Sequence, residues 1–136
     1  MKTKGFTLVE LLVVIAILAI LATVSVVGYT SFIDRAEQSN ADTEAHQIET
    51  TIESYLIAGQ PYELGKVDNV TVYLVVKNDA IGLYTDKEGT TAFAGTLGEV
   101  TGNDDFAGLG TVTVVSATSL TYTAENGKTA TINLDK

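Results

Sequence analysis

Apolar side chains fall in two patterns along this chain. From Phe6 to Ile33 they run almost without interruption, 21 of 28 positions, with Leu11 to Ala22 unbroken and no charge between Leu11 and Ile33. As a helix rising about 1.5 Å per residue, Leu11 to Ile33 spans roughly 34 Å, enough for a bilayer core of about 30 Å. From Tyr29 the pattern becomes amphipathic: Tyr29, Phe32, Ile33 and Ala36, then Ala41, Ala45, Ile48, Ile52, Tyr55 and Leu56 recur at helical steps. One helix is therefore predicted from about Phe6 to Ala58, roughly 80 Å long, with Gly59 as left-handed C-cap and Pro61 as the stop. The stripe Ala45, Ile48, Ile52, Tyr55 and Leu56 is assigned to a core against a C-terminal sheet. Thr23 to Gly28 combines β-branched residues with glycine and is the weakest helical stretch, but helix is expected through it in the isolated subunit.

After Pro61 the chain reads as β. Val70 to Val76, Ile81 to Thr85, Thr111 to Ser116, Leu120 to Ala124 and Thr129 to Leu134 are rich in valine, threonine, tyrosine and isoleucine. Matching Leu120 and Tyr122 to Ala130, Ile132 and Leu134 on one face requires a three-residue loop, Glu125-Asn126-Gly127, with Gly127 left-handed. A two-residue Asn126-Gly127 turn would set Tyr122 against Thr131. Between Tyr84 and Thr111 glycine, threonine and acid predominate; a surface loop pinned by Phe93, Leu97 and Phe106 is expected. The fold class is α+β, a long helix whose first half is hydrophobic and whose second half packs on an antiparallel sheet in a lollipop shape. The expected segments are 1–5, 6–33, 34–58 and 59–136.

Composition narrows the chemistry. The 136 residues include no cysteine and one histidine, which removes thiol catalysis and cysteine-ligated zinc and leaves no histidine cluster. A net charge of -9 opposes sequence-independent nucleic-acid binding. Glu99, Asn103, Asp104 and Asp105 are weak calcium candidates whose spacing fits no defined calcium loop, and a solvated acidic turn is the expected role. His46 is expected to be exposed beside Glu44 and Glu49. Asn69-Val70-Thr71 matches a glycosylation sequon but carries little weight in a threonine-rich chain. No phosphate-binding loop and no nucleophile–base constellation is visible, so neither enzyme activity nor a cofactor is expected.

Lys2 and Lys4 precede the apolar run without an accompanying acid, which places Met1 in the cytoplasm and the C-terminal part outside. The small residues Ala19, Ala22 and Ser25 are poorly spaced for an ordinary signal cleavage. A plain anchor leaves Glu10 unexplained: a carboxylate near the bilayer centre costs on the order of 2.5 to 3.5 kcal/mol, less at the interface.

The run Lys4-Gly5-Phe6-Thr7-Leu8-Val9-Glu10-Leu11-Leu12 resembles the leader and peptidase site of type IV pilins and pseudopilins. The resemblance covers about Met1 to Arg35. It implies cleavage between Gly5 and Phe6 by a prepilin peptidase, N-methylation of Phe6, and pairing of Glu10 with the Phe6 amine of an adjacent subunit as the apolar helices bundle. Such a pair at about 4 Å and an effective dielectric near 20 is worth about 4 kcal/mol before desolvation, comparable with the cost of placing Glu10 there. The implied product is a helical homopolymer, stored in the membrane as prepilin and assembled with an ATPase and a platform protein into an extracellular filament for adhesion or motility. A pseudopilin of a type II secretion or DNA-uptake system shares this N-terminal logic, and a membrane-anchored extracellular binding module is a further alternative. The relatives' proline near Val27 is absent, as is the disulfide-bounded loop of many pilins, and major pseudopilins carry a calcium site in a C-terminal loop. Loss of Met1 to Gly5 would move the net charge from -9 to -11.

Overall fold

The computed structural model describes residues 5–134. Lys2 and Lys4, on which the expected topology rests, lie outside the described residues, as do Asp135 and Lys136. The chain divides between Ala36 and Glu37 into two units. Helix α1 covers Leu8–Ile57 and is helical throughout Thr23 to Gly28. Its C-terminus closes as the sequence requires. Gly59 has φ +74°, its N–H donates to the Leu56 carbonyl at 3.1 Å, and the Gln60 N–H donates to the Tyr55 carbonyl at 2.9 Å. These two bonds satisfy carbonyls that would otherwise be orphaned at the helix end, and only a left-handed residue permits them.

The second unit contains two antiparallel sheets. Strands β1 (Tyr62–Val67), β2 (Val70–Lys77) and β3 (Ala80–Tyr84) form the first. Both connections are two-residue turns, Asp68-Asn69 and Asn78-Asp79, with all four φ values between 51° and 65°. Asn and Asp tolerate that region, and turns with two left-handed residues match the twist of the flanking strands. Strand β1 is absent from the sequence prediction because Gly65 interrupts its alternation; the register shifts between Glu63 and Gly65. The second sheet comprises β4 (Glu99–Val100), β5 (Thr111–Val114), β6 (Ser119–Thr123) and β7 (Thr129–Asn133), in sequential order. The β6–β7 register pairs Tyr122 with Ala130 and Leu120 with Ile132, and Gly127 has φ +87°, so the three-residue loop is present. Strand β5 ends two residues before its predicted limit, because the amides of Val115 and Ser116 both turn to the Ser119 carbonyl.

A reciprocal pair of bonds links the sheets: the Lys66 N–H donates to Thr101 O at 2.7 Å and the Thr101 N–H to Lys66 O at 2.9 Å. The approach is close because Gly65 lacks a side chain. With φ +124°, a Cβ there would lie 2.5 Å from the Thr101 carbonyl oxygen. Ala41, Ala45, Ile48, Ile52 and Leu56 form the buried helix stripe and join Leu64, Val72, Leu74, Val112, Leu120, Tyr122 and Ile132 in one core. Two expectations need correction. Tyr55 is 45% exposed, its ring standing edge-on to Tyr62 at 5.3 Å, because the buried stripe follows Ile52 to Leu56. Leu97 is 40% exposed; of the three expected pins Phe106 is buried and Phe93 partly so, and Val100 and Leu109 also anchor that region to the core.

Candidate processing and assembly site

In the first unit every described residue from Gly5 to Arg35 is exposed. An 18-residue stretch of α1 is apolar enough to cross a membrane, and none of it is buried. A surface of leucine, isoleucine and valine on this scale is unstable against water and demands lipid or other helices as its surroundings. Thr23, Ser25 and Thr30 do not interrupt the apolar face with unsatisfied hydroxyls. Each donates back to a carbonyl three or four residues earlier, at 2.7 to 3.0 Å.

Gly5, Phe6 and Thr7 are non-helical, and Phe6 is 91% exposed. In this uncleaved chain the Phe6 nitrogen is a peptide amide, so the ammonium expected to face Glu10 does not yet exist. Glu10 instead meets Thr7. The Thr7 N–H donates to Glu10 Oε2 at 2.9 Å, and the Glu10 N–H donates to Thr7 Oγ1 at 3.2 Å. The Thr7 carbonyl accepts the first helical bond, from the Leu11 N–H at 3.1 Å. This is a capping box: two side chains satisfy each other's backbone donors at the start of a helix. Sequence reasoning gave Thr7 no role, although Thr-x-x-Glu ahead of an apolar run is the signal for this arrangement.

The acidic segment of the second unit is committed elsewhere. Asn103 Nδ2 donates to the Tyr62 hydroxyl at 3.1 Å and to the carbonyls of Glu63 and Leu64 at 3.0 and 2.9 Å, while its Oδ1 accepts from the Asp105 N–H at 2.8 Å. Asp105 Oδ2 accepts from the Tyr62 hydroxyl at 3.0 Å. Asp104, Asp105 and Phe106 form a 3₁₀ turn capped by Asn103, and Glu99 pairs with Thr113 in β4. Among the described residues no group of three or more His, Asp or Glu side chains could hold a metal ion. His46 is exposed, beside the half-buried Glu44 and Glu49, and Asn69 is exposed in its turn.

Two phenols join the second unit's elements. The Tyr122 hydroxyl donates to Glu44 Oε2 and accepts from the Gly110 N–H at 3.0 Å. Burial pushes the Tyr122 phenol up, and the Glu44 carboxylate adds to the effect. Burial likewise raises Tyr62, against the bond from Asn103. Asp86 is held down to about 2, first by the Thr90 hydroxyl and then by the Thr91 and Thr90 amides.

An exposed apolar helix, a basic leader and a non-helical Gly-Phe step ahead of an acidic third helical residue stand together at one end of the sequence. Residues 1–26 match the family model of the prokaryotic N-terminal methylation motif. The N-terminal methylation motif occupies the leader and most of the apolar run, and it supports a type IV pilin-like or pseudopilin protein. The motif implies processing by a prepilin peptidase and assembly into filaments. The α+β layout, in which the second part of α1 contacts the sheets, is pilin-like. No curated protein and no solved structure matches the chain.

Proposed function

We propose that this chain is the structural subunit of a type IV pilus. It is held in the cytoplasmic membrane as a prepilin with its N-terminus inside, cleaved after Gly5, methylated at Phe6 and polymerised through the apolar part of α1 into an extracellular filament. The observation that carries this reading is the methylation motif at residues 1–26 running into the N-terminal apolar stretch of α1, which is entirely uncovered. Cleavage leaves that helix attached to the mature protein, and the new ammonium at Phe6 supplies the counter-charge for Glu10. Helix packing in the filament core then removes the apolar surface from its surroundings. An ATPase and a platform protein would drive the polymerisation, and adhesion or motility would follow from the filament.

N-terminal mass measurement on the mature protein tests the processing: a chain beginning with methylated Phe6 is expected, and intact Met1 would favour a permanently anchored binding module. Glu10→Ala tests the charge pair. Sheared filaments are expected to disappear, and wild-type amounts would remove the pair from the account. Long surface filaments containing the subunit in wild-type cells separate a pilin from a pseudopilin of a secretion or DNA-uptake machine.

A further inference from the structure

The geometry points to Thr7 as a positioning residue for assembly, one that orders the Glu10 carboxylate before a partner ammonium arrives. This rests on the filament reading above and adds to it a residue and a step. A glutamate at an exposed helix surface has several rotamers, and fixing them costs conformational entropy. Here much of that cost is met within the subunit. The Thr7 amide holds Oε2 at 2.9 Å, and the Glu10 amide holds the Thr7 hydroxyl at 3.2 Å, so both side chains are tied to the backbone of the first helical turn. Among the described residues the remaining carboxylate oxygen accepts no hydrogen bond and is open to an ammonium.

The same bonds satisfy two of the amides that a helix start leaves exposed, which matters most in an apolar medium where water cannot do so. Thr7 and Glu10 both lie beyond the Gly5–Phe6 bond, so cleavage leaves the cap in the mature chain. A carboxylate already ordered on one subunit binds an incoming ammonium with less entropy still to lose, the usual benefit of preorganisation.

Four full-length variants, expressed with the prepilin peptidase and assembly apparatus, test this. Thr7→Val keeps the shape of the side chain and removes the acceptor; Thr7→Ser restores it. Glu10→Gln keeps an acceptor for the Thr7 amide but has no charge, and Glu10→Ala has neither. Membrane level, leader cleavage and sheared-filament yield are measured for each. Thr7→Val is expected to reach the membrane and lose its leader as the wild type does, yet give about tenfold fewer filaments, the effect of a cap worth about 1.4 kcal/mol. Thr7→Ser is expected to recover most of the yield. Wild-type filament yield from Thr7→Val overturns the proposal. So does failure of Thr7→Ser to recover, or a Thr7→Val chain that is uncleaved or missing from the membrane, because the hydroxyl then serves processing or insertion. Both glutamate variants are expected to yield no filaments. If they assemble normally the charge-pair reading itself fails; if they fail while Thr7→Val assembles, only the role of Thr7 falls.

Discussion

Asn103 shows how one side chain can replace a short stretch of secondary structure. Its amide fills three acceptors along the Tyr62–Leu64 backbone and hydroxyl, and its oxygen caps the turn at Asp104–Phe106. Asn103→Ala leaves several partly buried polar groups without partners and is expected to cost about 2 to 3 kcal/mol, measured as a lowered urea midpoint. Asp86 gives a prediction with a sign. Its folded pKa, about 2, lies below the ordinary value of 3.8, so the folded form binds the proton less tightly than the unfolded one. The stability it contributes is therefore present above about pH 3.8 and is lost as pH falls towards 2. Asp86→Asn is expected to be less stable than the parent at pH 6 and to converge with it near pH 2, in urea titrations run at both values. The sequence did not reveal either role: acids and amides in a glycine-rich segment read as solvated turns, because the groups they bond lie some forty residues away for Asn103, as acceptors, and four to five residues away for Asp86, as donors.

At the scale of the element, what the sequence made legible depended on how local the governing interaction is. The end of α1 was readable because Gly59 and Pro61 act on their own neighbours, and the β6–β7 loop because side-chain alternation on both strands admits one register. Strand β1 was not, since Gly65 looks like a break until Thr101 is seen lying across it, and β4 is two residues long. Tyr55 was placed in the core by helical spacing alone, which cannot say where a buried stripe ends. Glu10 stood out as an acid in need of a partner, whereas its local partner Thr7 was overlooked because the acid was read as isolated. Two glycine substitutions separate conformational strain from crowding. Gly59→Ala places a side chain in open space at φ +74°, and a loss of about 1 kcal/mol is expected. Gly65→Ala meets the same kind of backbone penalty and a carbonyl oxygen 2.5 Å away, so a loss of about 3 kcal/mol or more is expected. Thermal melts of the two variants in detergent should rank them in that order.

For the second unit as a whole, two phenols give stability a dependence on high pH. Tyr62 and Tyr122 both have folded pKa values raised above the ordinary 10.0, so the folded state retains protons that the unfolded chain gives up. Their contribution is complete below pH 10 and declines as pH rises through and beyond it. Urea midpoints are expected to fall between pH 9 and pH 11, and Tyr122→Phe should flatten that fall while lowering stability at pH 7 through the loss of the Glu44 and Gly110 bonds. Among the described residues every strand ladder joins neighbours in the chain, and the bridge between Lys66 and Thr101 is the connection that spans the two sheets. In kinetic terms, the hairpins need only small loops to close and carry little entropic barrier, while the Lys66–Thr101 junction must wait for about 35 intervening residues to be ordered. Gly65 thus sits where folding of this unit is completed, and a side chain there should slow the final step more than it disturbs the hairpins on either side.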